Sequence, residues 1–229
     1  MRPLHELLLD EIQTERRRLS RRGLLSNTAK LAGGAALAMS MGVVPSPISI
    51  RHLAAAQEMT GMEVLNYALT LEHLEYAFYR DGLALFSARE FKQAGFGKPA
   101  YGRLKTIREH ERIHVETLTD VITDLGGDPV EEAPCYNFAE AFRSVKAFLA
   151  TAQLLENTGV SAYDGAIALI ESAELQTAGA TIATVEARHA AYLNDLNGDS
   201  PFPAAFDEPK TPEQILAAAA PFFECDAGA

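Results

Sequence analysis

The sequence predicts an all-α protein: a bundle of four long helices, built as two hairpins with a long crossover between the second and third helices, plus a short C-terminal helix. Three observations predict it. From Met62 onward apolar residues recur at helical spacing, strand-like alternation is almost absent, and Gly, Pro and Asn collect between the periodic stretches. The 229 residues suffice for one domain with appendages. A content of 48% hydrophobic and 22% charged residues excludes a disordered or collagen-like chain.

The first helix, Met62 to Phe86, sets Leu65, Ala68, Leu69, Leu71, Leu74, Phe78 and Leu85 at helical intervals, with Arg80 and Asp81 on the other side. Phe91 to Pro99, carrying Gly95, Gly97 and Pro99, reads as a connection. The second helix runs from Tyr101 to Leu125 and stops at Gly126 and Gly127. The loop from Gly127 to Asn137 can reach about 36 Å when extended, enough to return along a bundle. Helices two and three are therefore expected to run parallel. The third helix is expected over 138–170, and the fourth over 175–196 ahead of Asn197 and Gly198. After prolines at 201, 203 and 209, Thr211-Pro212-Glu213 opens a short helix through Ala220, expected over one end of the bundle.

Charge divides the chain. Residues 1–56 carry eight Lys and Arg against four Asp and Glu, whereas 57–229 carry twelve against twenty-seven, so a leader of +4 precedes a remainder of −15. An acidic mature part argues against a nucleic-acid partner. In the leader, Ser20-Arg21-Arg22 and two leucines precede a weakly apolar stretch, Leu31 to Val44, too short to span a bilayer. The segment resembles a twin-arginine signal, with Ala54-Ala55-Ala56 offering cleavage before Gln57. The expectation is a 57–229 domain exported across the cytoplasmic membrane by the twin-arginine machinery, which carries folded proteins and so permits cofactor loading first.

The sharpest chemical signal occurs twice. Glu111-Arg112-Ile113-His114 and Glu186-Ala187-Arg188-His189 each set Glu and His three residues apart, on one helical face. Carboxylate and imidazole together suit iron, manganese or zinc. A binuclear carboxylate bundle adds one inward Glu from each of the other two helices. Helix three offers Glu156, isolated among apolar residues, where an unpaired carboxylate is costly to bury. Helix one offers Glu72 and Glu75. Tyr79 follows Glu72 by seven residues and Tyr163 follows Glu156 by seven, which favours Glu72 and places both tyrosines as hydrogen-bond donors behind the site or as core packing. Counting from the hairpin turns, the four carboxylates fall at similar heights, roughly 17 to 21 Å from the turn.

These residues resemble the ferritin-like superfamily, and in wording the exported group that includes the plant desiccation-related proteins. The resemblance rests on LTLEHLEYAFY (69–79), LLENTGVSAYDGA (154–166), TVEARHAAY (184–192) and AFDEP (205–209). It implies a ferritin-like fold and a two-metal site with Glu72, Glu111, His114, Glu156, Glu186 and His189 as ligands. It further implies iron, or manganese, as the metal. The implied chemistry is oxidation of ferrous iron by dioxygen or peroxide, or peroxide disproportionation. The alternative is a structural or desiccation-protective bundle whose site is vestigial or only stabilising. No oligomeric state follows from the sequence, and a dimer is compatible with it.

The remaining candidates take plainer roles. His73 and His110 are expected in solvent or behind the ligands, and Arg112 and Arg188 in surface ion pairs. Cys135 and Cys225 can pair in an oxidising compartment, with a disulfide and two free thiols equally compatible with the sequence.

Overall fold

A computed structural model describes residues 59–225. The expected leader, with the segment that resembles a twin-arginine signal and the expected cleavage site, lies outside the described residues. Six helices follow in order: α1 Gly61–Leu85, α2 Ala88–Gln93, α3 Lys98–Asp124, α4 Val145–Ile167, α5 Ala173–Asn197 and α6 Pro212–Phe223. No strand occurs among the described residues, and no helix among them is long and apolar enough to cross a membrane.

Local chemistry fixes most boundaries. Thr60 and Glu63 form a capping box at α1, and Thr211 and Gln214 form one at α6, each satisfying backbone N–H groups that the first helical turn leaves unpaired. Ser172 caps α5, which ends at Gly198 with φ 91°, a left-handed conformation that costs glycine nothing. The connection expected over 91–99 overlaps the end of α2, a helix opened by a Ser87–Glu90 capping box, and the first two residues of α3. The expected third helix is shortened at both ends. Residues 141–143 form a 3-10 turn, Ser144 caps α4, and the helix stops at Ile167. Phe138 and Phe142 imitate helical periodicity because they pack with Phe78 and Phe148 in one aromatic cluster. At the other end, α6 continues through Pro221 to Phe223, three residues past the expected stop.

Helix α1 packs along α3 and α4 along α5, with α1 also against α4. The crossover's course is written in its contacts with α1. Asn66 holds Asp128 and Val130, His73 meets the Val130 carbonyl, Arg80 pairs with Glu132 at 2.9 Å, and Phe138 meets Phe78. The chain thus climbs back along α1, so α3 and α4 run parallel. Cys135 of the crossover is joined to Cys225 beyond α6, with α-carbons 6.3 Å apart, and the Asn137 N–H donates to the Phe222 carbonyl. The paired-cysteine alternative is the one the structure adopts, and it fastens α6 to the crossover.

Candidate metal centre

The capping and hairpin geometry brings four carboxylates to one level. Thirteen residues separate Glu72 from Leu85, Glu111 from Lys98 and Glu186 from Ala173, and eleven separate Glu156 from Ile167. At 1.5 Å per residue each lies about 16 to 20 Å from the hairpin end of its helix. All four are fully buried, and His114 and His189 nearly so.

Two donor groups result, Glu72, Glu111, His114 and Glu186, and Glu111, Glu156, Glu186 and His189, each with ligand atoms within 4.8 Å of one another. Glu111 and Glu186 belong to both groups. The arrangement has an approximate twofold relation: exchanging Glu72 and His114 for Glu156 and His189 leaves the pattern unchanged.

The fit to a cation is visible in the nitrogen environments. His114 Nδ1 stands 3.2 Å from Glu72, 3.1 Å from Glu111 and 3.1 Å from Glu186. His189 Nδ1 stands 3.1 Å from both Glu111 and Glu156. One ring nitrogen carries at most one proton and cannot serve three carboxylates. Accordingly Glu111 Oε1 and both oxygens of Glu186 are buried without a hydrogen-bond partner. Cis donors around an ion bound at about 2.1 Å stand about 3 Å apart, which is the spacing found here. The donor set is compatible with divalent metal ions, and four carboxylates balance two such ions in charge.

Without metal, protons must do that balancing. Burial pushes Glu72 up to about 8 despite the opposing pull of His114. Burial and the neighbouring carboxylates push Glu75 and Glu156 well above the ordinary carboxylate range. Burial opposes the imidazolium of His189, but Glu156, Glu111 and Glu186 overcome it and push His189 up to about 12. Burial opposes the charged form of Glu186, but the positive charge of His114 and His189 beside it holds the carboxyl below the usual range.

The tyrosines reach across the bundle. The Tyr79 hydroxyl of α1 donates to Glu156 of α4 at 2.6 Å, and the Tyr163 hydroxyl of α4 donates to Glu72 of α1. Burial, then the nearby carboxylates, raise both phenols, so each stays protonated and keeps donating. Glu75 is buried beside the cluster but belongs to neither donor group.

Other placements differ in kind. His110 Nδ1 lies 2.9 Å from His189 Nε2 with the rings stacked, so it supports a cluster histidine from behind. With His189 Nδ1 directed at the carboxylates, its Nε2 is free to donate to His110. His73 reaches the Val130 carbonyl, away from the cluster. Arg112 pairs with Glu109 and Glu116 as expected, whereas Arg188 makes no ion pair among the described residues. Glu116 is four residues from Arg112 on the same helix; Arg188 has no acid three or four residues away.

The sequence reading missed Gly159. It stands three residues after Glu156, as Glu75 stands three after Glu72, and a Cβ there would come within 3.1 Å of Glu75 Oε1. The extra carboxyl of α1 occupies room that α4 leaves by having no side chain. That signal is present in the two aligned segments, but it becomes readable only once the cross-bundle pairing is known.

Comparison with known proteins agrees with this geometry. Residues 60–199, from the α1 cap through the end of α5, match the model of a ferritin-like domain. The chain belongs to the ferritin-like domain family. It is also similar to protein rds1 of Schizosaccharomyces pombe, at 28% identity over 143 residues. That alignment covers 62% of this chain and 34% of the relative, so the match spans about a third of the relative's length. The matched ferritin-like segment contains every member of the two donor groups.

Proposed function

We propose that this is an exported ferritin-like protein that holds two iron ions and acts in iron oxidation or peroxide defence. In this reading Glu72, His114, Glu111 and Glu186 would hold one ion, and Glu156, His189, Glu111 and Glu186 would hold the other. The single observation that carries it is the sharing of Glu111 and Glu186 between two donor groups. Manganese would suit the same oxygen and nitrogen donors.

A bound ferrous pair would supply two electrons, which with two protons would reduce dioxygen to hydrogen peroxide or hydrogen peroxide to two waters. The protein's own residues set the conditions for that exchange. Complete burial of the carboxylates excludes bulk water and strengthens each electrostatic contact. Tyr79 and Tyr163 fix the orientation of the terminal carboxylates, and His110 fixes the ring of His189. The twin-arginine-like leader supports export of the loaded protein, and the sequence signatures support kinship with the desiccation-related group.

The test is metal analysis of protein purified without added metal, followed by oxygen and peroxide consumption on adding ferrous iron. The expected result is about two metal ions per chain, with consumption of one oxidant and loss of both properties in Glu111→Ala and His189→Ala. If those variants bind as much iron as the parent, the ligand assignment is wrong. A parent that binds metal yet consumes neither oxidant is instead a structural or stress-protective bundle.

A further inference from the structure

A cavity of about 110 Å³ lies where α1, α4 and α6 meet. Leu71, Leu74, Leu155 and Phe222 contribute to its walls, and the solvent-exposed Leu154 and Ala218 also line it. The one charged residue lining it is Glu75. That side chain is 3% exposed and makes no hydrogen bond or ion pair among the described residues. A Cβ at Gly159 would lie 3.1 Å from Glu75 Oε1 and 3.5 Å from Glu186 Oε2, so the inner end of the cavity adjoins the metal cluster.

Leucine walls do not admit ions, because a hydrated cation would surrender its water without replacement. The same walls welcome a neutral apolar body, and the unpartnered carboxyl calls for one hydrogen-bonding group at the inner end. Size narrows the choice: an apolar cavity of about 150 Å³ takes benzene, so this one takes about four carbons.

We propose that this cavity binds a small alkyl hydroperoxide, or the corresponding alcohol, with its O–H head against Glu75 and its alkyl body among Leu71, Leu74, Leu155 and Phe222. The binding stands on the cavity alone. Turnover rests on the function proposed above: the hydroperoxide gains two electrons from two ferrous ions and two protons, and its O–O bond breaks to give alcohol and water. The disulfide between Cys135 and Cys225 keeps α6 in place as one wall.

The test uses tert-butanol as an unreactive probe and tert-butyl hydroperoxide against hydrogen peroxide as substrates. Crystals of the full-length protein soaked in tert-butanol should show it in the cavity with its hydroxyl on Glu75, in metal-loaded and metal-free protein alike. Ala218→Leu, a change at an exposed lining position, should remove that density, leave metal content unchanged, and lower the turnover ratio of tert-butyl hydroperoxide to hydrogen peroxide about tenfold. An empty cavity in the soaked parent, or an unchanged ratio in Ala218→Leu, overturns the proposal. Bound tert-butanol in a protein that turns over neither peroxide leaves the pocket standing and removes the peroxide reading.

Discussion

Replacing Tyr79 by Phe removes one hydroxyl from the centre and little else. The ring stays seated edge-on against Phe78 and Phe148, at 5.7 and 6.1 Å between centroids. What disappears is the 2.6 Å hydrogen bond to Glu156 Oε1, a fully buried carboxylate oxygen. With metal bound Glu156 is charged, a hydrogen bond to a charged group is worth about 1.5–3 kcal/mol, and burial keeps bulk water from replacing it. For a domain of this size each kcal/mol shifts the melting temperature by about 2–4 °C, so a loss near 2 kcal/mol lowers it by about 4–8 °C. Removing a group that orients a ligand also weakens metal binding by about 10- to 100-fold. Tyr163→Phe should behave alike, because it breaks the equivalent bond to Glu72. Scanning calorimetry and chelator competition on both variants measure the two effects. A melting temperature within about 1 °C of the parent, together with unchanged metal affinity, would refute the claim that these hydroxyls hold the carboxylates.

In the metal-free protein the folded state holds Glu72 protonated to about pH 8, against 4.5 for the ordinary group, so stability should fall as pH rises through that window. His189, pushed up to about 12 from 6.5, acts in the same sense above pH 6.5, and bound metal should narrow the loss by replacing the protons. Melting curves at both ends of the window, with and without metal, check the sign. Gly82→Ala would put a Cβ 2.3 Å from the Phe148 ring and should cost about 1–3 kcal/mol, whereas Gly102→Ala on the open face of α3 should stabilise by up to about 1 kcal/mol; urea titration distinguishes them. Replacing Cys135 and Cys225 by Ser opens a crosslink between residues 90 apart, an entropic loss of up to about 4–5 kcal/mol. Denaturant titration and limited proteolysis should show that loss and a loosened α6.

How legible each part was depended on whether its cause is local. Helical period, capping residues and breakers act over a few residues, so α1, α3 and α5 were readable to within about three residues. The third helix was overextended because Phe138 and Ile170 are buried, and Phe142 partly buried, at helix-like intervals for tertiary reasons, by an aromatic cluster and a hairpin turn. The six-residue α2 was overlooked although its Ser87–Glu90 box was in plain sight.

What the sequence determined by itself was the pair of Glu-x-x-His segments, the isolated Glu156 and the seven-residue spacing to each tyrosine, because a helix converts spacing directly into direction. It favoured Glu72 over Glu75 on the tyrosine spacing alone, because the two differ by less than one helical turn. The packed bundle separated them: Glu72 joins His114, Glu111 and Glu186, and Glu75 turns instead into the room left by Gly159, at the end of an apolar cavity. The crossing of Tyr79 to Glu156 and Tyr163 to Glu72 was likewise a decision of the tertiary structure. Spacing along one helix fixes which way a side chain points, but only the neighbouring helix supplies what it meets there.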